Sequence, residues 1–437
     1  MKMKVLKFGG TSVGSAERMR EVVNLIDSKE PKIIVLSAMS GTTNWLSAIV
    51  DLLYGNDEVA IENIKQLEDN YYRLVNELFK GEEFKQKGKA LIEVHFKFIR
   101  SFTRDDFTAF EEKTILAQGE LISTAIFQLL TQELNVSCEL IPALNFMRTD
   151  KDGEPDQFYI KENIARELAK YPTTNNFITQ GYICRNSFGE IDNLKRGGSD
   201  YSASLIGVGV EAEEIQIWTD IDGMHNNDPR VVENTYPLPN ISFDEAAELA
   251  YFGAKILHPS SVVPAKRANI PVRLKNTMEP KAPGTLIDAQ QNGTGIKAIA
   301  AKDNITAIKI NSDRMLLAHG FLRRVFEIFE TYKTSIDMVT TSEVAVSVTI
   351  DDCTELDKIT NDLANYGAIE IDKELTIVCV VGDFIAESKG YAQVIFNALG
   401  NIPVRMISYG GSKHNVSILI NTSDKKEALL SLNEKLF

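Results

Sequence analysis

Cysteine is scarce. The 437 residues hold four, Cys138, Cys184, Cys353 and Cys379, with no C-x-x-C pair and no metal-ligand spacing. That argues against a disulfide scaffold and fits a reducing cytosol. Positive charge is in deficit: 47 Lys and Arg stand against 61 Asp and Glu, a net charge of −14. Nucleic acid and anionic membrane are therefore not expected as main partners. A local group of lysines and arginines can still outweigh that mean field and hold an anionic substrate. Long apolar runs are missing too: none approaches the roughly 20 residues that span a bilayer. The N-terminus has lysines followed by Gly-Gly-Thr-Ser, without the apolar centre of a signal peptide. These absences predict a cytoplasmic enzyme or regulator, and the length predicts two or three domains with ample core.

What is present alternates strand and helix. Val5–Phe8 and KIIVLS (32–37) predict strands, with a helix over Ala16–Ser28 between them. A glycine loop at 40–44 opens the next helix. Residues 55–105 are charged and predict a helical insertion, and Phe107–Leu134 predicts one long helix. Strands at Asn176–Gln180 and Glu214–Trp218 alternate with helices at Ser199–Val210 and Phe243–Phe252, and Pro271–Leu274 begins a last strand. Such alternation implies a mainly parallel sheet in an α/β fold. Residues 280–300, with Pro, Gly, Asn and Gln, predict a linker. Beyond it, 320–350 and 390–420 each predict glycine, amphipathic helix, strand, polar turn and strand, about 70 residues apart. Each copy follows an apolar strand, Ile305–Ile310 or Leu375–Val381. The repeat predicts two small α+β modules side by side.

Five clusters carry chemistry. KFGGTSVGS (7–15) runs from strand through glycines into helix. Glycines allow close backbone approach, and amides at a helix start point at an anion, which suits phosphate. The loop is not G-x-x-x-x-G-K-[ST], because Lys7 precedes its glycines. A lysine at a strand end lies at the carboxyl edge, where open α/β sheets bind ligands. Taken alone, the loop also fits an ordinary tight turn. Lys195-Arg196-Gly197-Gly198-Ser199-Asp200-Tyr201 is a second glycine turn into a helix, where Ser199 and Asp200 also suit plain capping. Trp218-Thr219-Asp220, running to Asp228-Pro229-Arg230, is a strand end with a polar loop, either surface or nucleotide edge. Glu120 lies on a partly apolar helix stripe with Leu116, Thr124 and Phe127. It pairs there with a structural lysine or takes a substrate ammonium, since a lone buried carboxylate is costly. In FGAKILHP (252–259), Lys255 is the candidate phosphate contact and His258 a helix-end histidine.

In that order the five clusters resemble the aspartokinases of the amino-acid kinase superfamily. The likeness covers essentially the whole chain, and the terminal modules resemble paired ACT domains. KFGGTSV together with RGGSDY and FGAK…HP is far more specific than glycine loops alone. The stretches Ser335-Ile336-Asp337, Thr340-Thr341-Ser342-Glu343 and Arg405–Gly410 are most similar to the lysine-inhibited single-function class, and no dehydrogenase domain follows the second module. The resemblance implies an amino-acid-kinase sandwich over 1–285, a linker over 286–300 and tandem ACT domains over 301–437. It implies ATP with Mg²⁺ carried on the phosphates, no protein metal site, and ATP:L-aspartate phosphotransfer. Lys7, Asp200 and Lys255 would be catalytic. Thr43, Glu120, Arg196 and Ser199 would hold L-aspartate. Lys7, Gly9, Gly10, Thr219, Asp220, His225, Arg230 and Lys255 would hold ATP. Met315, Ala318, Phe321, Leu322, Ser335, Ile336, Asp337, Ser342 and Glu343 would form an L-lysine site in a homo-oligomer, dimer or tetramer, built through the ACT modules. The chain departs from family habit at Gln118, where His is frequent, at His225, where Tyr is common, and at Ala318, where Ser is common. A kinase for glutamate, or a non-catalytic amino-acid sensor, remains an alternative at this stage.

Overall fold

The protein is described from a computed structural model that covers residues 2–55, 57–103, 107–194, 197–253, 257–290, 295–312, 319–383 and 389–437. It divides into two compact units, Met1–Met224 with Pro239–Phe243 and Ile256–Gln290, and His225–Leu238 with Asp244–Lys255 and Gln291–Phe437.

The strands of the first unit are β1 (Lys4–Phe8), β2 (Lys32–Leu36), β3 (Glu139–Leu140), β4 (Asn176–Gln180), β5 (Ile183–Arg185), β6 (Ile191–Asn193), β7 (Glu214–Thr219), β8 (Asn240–Ser242), β9 (Val272–Asn276) and β10 (Thr285–Asp288). Eight of them form one sheet in the order β3-β4-β2-β1-β7-β9-β10-β8. Every pairing is parallel except β9 with β10. β2 and β4 are buried along their whole length, as strands of a covered parallel sheet must be. The β1 register with both neighbours, Lys7 opposite Val35 and Ile217, brings four carboxyl ends to one edge. Those ends belong to β1, β2, β4 and β7.

Helices Ala16–Ile26, Thr42–Leu53 and Gln118–Glu133 cover one side, with the hairpin Asp57–Leu78 and Glu82–Ser101. Their apolar stripes, including Met19, Leu46, Tyr71, Phe96 and Phe127, bury against Phe8, Ile34 and Leu36. The expected insertion is this hairpin.

Two local expectations give way. The helix expected over Phe107–Leu134 is two, Ala109–Leu116 and Gln118–Glu133. The first starts at Thr108, which forms a capping box with Glu111. At the break, the Gln118 side-chain amide donates to Thr114 O at 3.0 Å, the carbonyl that a continuous helix would offer to the Gln118 backbone. The stretch expected as linker holds β10. Gly284, with φ +69, turns the chain back, and a Cβ there would lie 1.9 Å from Leu274 O. Val272–Asn276 is therefore followed by an antiparallel partner and does not end the sheet.

The second unit holds β11 (Gly295–Asn311), β12 (Val339–Thr341), β13 (Ala345–Ile350), β14 (Ala368–Asp383), β15 (Met406–Tyr409) and β16 (Asn415–Asn421). They form one antiparallel sheet, β12-β13-β11-β14-β16-β15. The two repeats are thus joined, because β11 and β14 pair from Gly295 opposite Asp383 to Asn311 opposite Ala368. Each repeat keeps its own core. Ile308, Val346 and Val348 pack with Val325, Phe329 and Ile359. Val378, Ile418 and Ile420 pack with Ile395, Leu399 and Leu429.

Candidate active site

Lys7 is the penultimate residue of β1, and its side chain turns into the carboxyl edge. Nζ lies 2.6 Å from Asp200 Oδ1, with both side chains largely buried. Asp200 stands in the first turn of the helix Gly198–Gly209. That helix starts from Gly197 and Gly198, whose φ values of +70 and +49 are open chiefly to glycine. The loop after β1 returns on itself: Ser12 N donates to Gly9 O at 2.9 Å. Gly10 passes so close to the segment after β2 that a Cβ would meet Ala38 O at 2.9 Å.

Beside this pair lies a cavity of about 370 Å³, lined among others by Gly10, Ser37, Thr43, Glu120, Tyr182 and Ser199. Glu120 is 3% exposed. Its Oε1 accepts from Ala38 N at 3.1 Å, and its Oε2 has no hydrogen-bond partner among the described residues. Burial pushes this carboxyl up to about 7, against the pull of the Ala38 amide. The structural-lysine alternative for Glu120 fails among the described residues, where no salt bridge reaches it.

Ser199 Oγ accepts from Ser37 Oγ at 2.9 Å. Only glycine fits at 181, since a Cβ there would stand 2.4 Å from Ser199 Oγ. Ser37 and Tyr182 are lining residues that the motifs did not single out. Tyr182 takes φ +63, rare for a bulky residue, and its N–H donates to Ser202 Oγ at 2.8 Å. Burial, followed by the charges of Glu120 and Asp192, pushes its phenol up to about 12, so it keeps its proton. Gln118 Oε1 lies 2.7 Å from His95 Nδ1. A histidine thus sits beside the position where the family often carries one, supplied by the helical hairpin.

Thr219 ends β7 in the same unit and Asp220 follows it, and Thr219 Oγ1 accepts from Ile221 N at 3.1 Å. His225 and Arg230 belong to the second unit. His225 Nδ1 lies 2.9 Å from Thr235 Oγ1, and Arg230 pairs with Asp228 at 2.8 Å. His258 accepts from Ser260 N and caps the turn at Pro259, the helix-end part expected of it. Arg196, Lys255, Met315 and Ala318 lie outside the described residues.

Of the expected effector residues, Phe321 and Ile336 pack in one core, while Leu322, Ser335, Ser342 and Glu343 are exposed. The Asp337 side chain is almost fully buried. Its Oδ1 accepts from Lys302 Nζ at 2.8 Å and from Tyr251 Oη at 2.6 Å. Lys302 also reaches Asp351 at 2.8 Å and lies over the Tyr251 ring. Burial works to lower its pKa, but the two carboxylates win and hold it raised.

Residues 2–276 match the amino acid kinase family, and 378–436 match an ACT domain. Lysine-sensitive aspartokinase 3 of Escherichia coli (strain K12) is 32% identical over 99% of each chain. Aspartokinase 1, chloroplastic, of Arabidopsis thaliana is 35% identical over 99% of this chain and 80% of its own. The crystal structure of E. coli aspartokinase III with aspartate and ADP, described as the R-state, superposes with a TM-score of 0.85 at 31% identity over all of both chains. The same holds for its complex with lysine and aspartate, described as the T-state. A buried carboxylate and a lysine–aspartate pair at the edge of this sheet accord with those likenesses, and the chain belongs to the aspartokinases of the amino acid kinase family.

Proposed function

We propose that the chain transfers the γ-phosphoryl group of ATP to the side-chain carboxylate of L-aspartate, giving 4-phospho-L-aspartate and ADP, and that L-lysine inhibits it. One observation carries the substrate reading: Glu120, buried at the cavity with an unpartnered oxygen, is matched by an ammonium group. Thr43 and Ser199 line the same space for the rest of the amino acid, and Arg196 is assigned to the α-carboxylate, which a planar guanidinium grips bidentately. The E. coli relative solved with aspartate and ADP supports the pairing of these two ligands.

The nucleophile is a carboxylate with an ordinary pKa near ~4, ionised at neutral pH, so no general base is required. Its oxygen attacks the γ-phosphorus, the bond to the bridging oxygen breaks, and ADP departs with that electron pair. The obstacle is anionic repulsion, so positioning and charge neutralisation carry the rate. Lys7 supplies positive charge from β1 with Gly9 and Gly10 beside the phosphates, and Asp200 holds its ammonium in place at 2.6 Å. Thr219, Asp220, His225, Arg230 and Lys255 are assigned to the nucleotide.

Among the described residues no three His, Cys, Asp or Glu side chains gather into a metal set. Asp200 and Asp220 are carboxylates at this edge, a donor set that would fit a magnesium ion carried on the nucleotide, with Asp200 supporting it. Such an ion, when bound, neutralises phosphate charge.

Lysine inhibition is supported by the E. coli relative, a lysine-sensitive aspartokinase whose structure with lysine is known. In this chain Asp337 already binds one lysine ammonium, that of Lys302. Glu343, exposed on the β12–β13 turn, is assigned to the effector's ammonium, with assembly through the ACT modules.

The test is ADP release with trapping of the acyl phosphate by hydroxylamine, using ATP, Mg²⁺ and L-aspartate. Aspartate-dependent hydroxamate that lysine suppresses is expected. Turnover with glutamate and none with aspartate would overturn the substrate assignment.

A further inference from the structure

We propose that Thr277 is a positioning residue for the nucleotide: its hydroxyl holds the glycine loop after β1 while its backbone N–H holds the end of β7, so one residue ties both walls of the site together. The inference rests on reading that loop and Thr219 as nucleotide-binding. Thr277 follows β9 directly. Its N–H donates to Thr219 O at 2.8 Å, which extends the β7–β9 ladder by one bond. Its Oγ1 lies 2.8 Å from Ser12 Oγ, across 265 positions of sequence. Both side chains are buried, with Ser12 2% and Thr277 4% exposed.

Ser12 is the residue through which the loop closes, since its N–H donates to Gly9 O at 2.9 Å. Gly9 N in turn reaches Trp218 O at 3.4 Å. The loop is thus anchored to β7 twice: once weakly, through its own backbone, and once through the Ser12–Thr277–Thr219 chain. The second anchor is the shorter and the more buried. A hydroxyl pair in that setting is costly to break from one side, because the remaining hydroxyl loses its partner without gaining water. Loss of the pair frees the loop relative to Thr219, and the effect falls on groups assigned to ATP. Among the described residues the aspartate cavity touches that loop only at Gly10; the rest of its lining is residues 37–41, Thr43, Asn44, Glu120, Tyr182, Gly198 and Ser199, and it does not include Thr277.

Thr277→Val keeps the shape and the backbone bond to Thr219 but removes the hydroxyl. The dissociation constant for ADP, measured by calorimetry with Mg²⁺ and no aspartate, is expected to rise about tenfold, the scale of one buried hydrogen bond. The KM for aspartate at saturating ATP stays within about twofold, and Thr277→Ser restores ADP binding, since it returns the hydroxyl. If Thr277→Val folds poorly, Ser12→Ala makes the same split from the other side. Unchanged ADP affinity, equal losses toward ADP and aspartate, or no rescue by serine each overturns the proposal. A wild-type chain that binds ADP but does not phosphorylate aspartate sinks the proposed reaction while the ADP comparison still decides Thr277. A wild-type chain that binds no ADP overturns both.

Discussion

Glu120 carries a proton balance that sets a pH profile. A carboxyl held near 7 in the open site is mostly neutral below that pH and cannot pair an ammonium. For aspartate, kcat/KM should therefore climb as pH rises through about 7, because that parameter follows the free enzyme. Glu120→Gln should lower it and flatten the climb; a variant that kept the wild-type profile would remove Glu120 from substrate binding. The same shift has a stability consequence of opposite sense. The folded chain binds a proton at Glu120 that the unfolded chain has already lost between 4.5 and about 7, so its contribution falls as pH rises through that window. Above it the ionised form costs on the order of 3 kcal/mol. The ligand-free Glu120→Gln protein should melt higher than wild type at pH 8 and nearly level with it at pH 4.5. Lys7 tests the electrostatics directly. Lys7→Ala should reduce kcat by at least about two to three orders of magnitude, the worth of a central charge donor. Near-normal turnover would sink the mechanism. Sequence marked both residues, through a glycine loop at a strand end and a glutamate on an apolar stripe. It did not mark Ser37 or Tyr182, because neither lies in a patterned cluster. What brings Tyr182 to the cavity is a left-handed backbone that no spacing shows.

At the scale of elements, the site depends on how closely the helix Gly198–Gly209 seats against the end of β4. Gly181 has no Cβ, and Ser199 fills that space, within reach of Ser37. Gly181→Ala should push the first helical turn outward and lower kcat/KM for aspartate on the order of 10²-fold, as displacements near 1 Å do. The overall fold should survive, so circular dichroism unchanged with activity intact would show that this seating is not needed. The elements themselves were largely legible. Alternating strands and helices gave the parallel sheet, and charged periodicity gave the helical hairpin. Two features were not. At the break at Ala117 a side chain takes a backbone carbonyl, a contact that leaves the apolar period nearly intact. The strand β10 follows Pro283-Gly284, and such a pair reads as linker until a partner strand is known.

Across the whole chain, the repeat announced two modules, yet not that β11 and β14 would zip them into one sheet. Long-range pairing is decided by tertiary register, which alternation within a strand cannot specify. The consequence for regulation lies at Asp337, in the segment after the first module's helix. Resemblance assigns this carboxylate to the effector, but here it is shared by Lys302 and Tyr251 and shut from solvent. A ligand ammonium arriving there would have to reach a buried carboxylate whose Oδ1 is already taken and whose Oδ2 is without a hydrogen-bond partner among the described residues, whereas Glu343 stands exposed. Glu343→Gln should therefore raise the lysine concentration for half-inhibition by about tenfold or more, each variant being compared with its own uninhibited rate. Asp337→Asn should act chiefly through stability, because it leaves the Lys302 ammonium short of a buried partner; a loss of about 3 kcal/mol is the scale for breaking such a pair. A thermal melt alongside the inhibition curve separates the two. If Glu343→Gln keeps full lysine inhibition while Asp337→Asn abolishes it without lowering the melting temperature, then Asp337 is the effector's carboxylate.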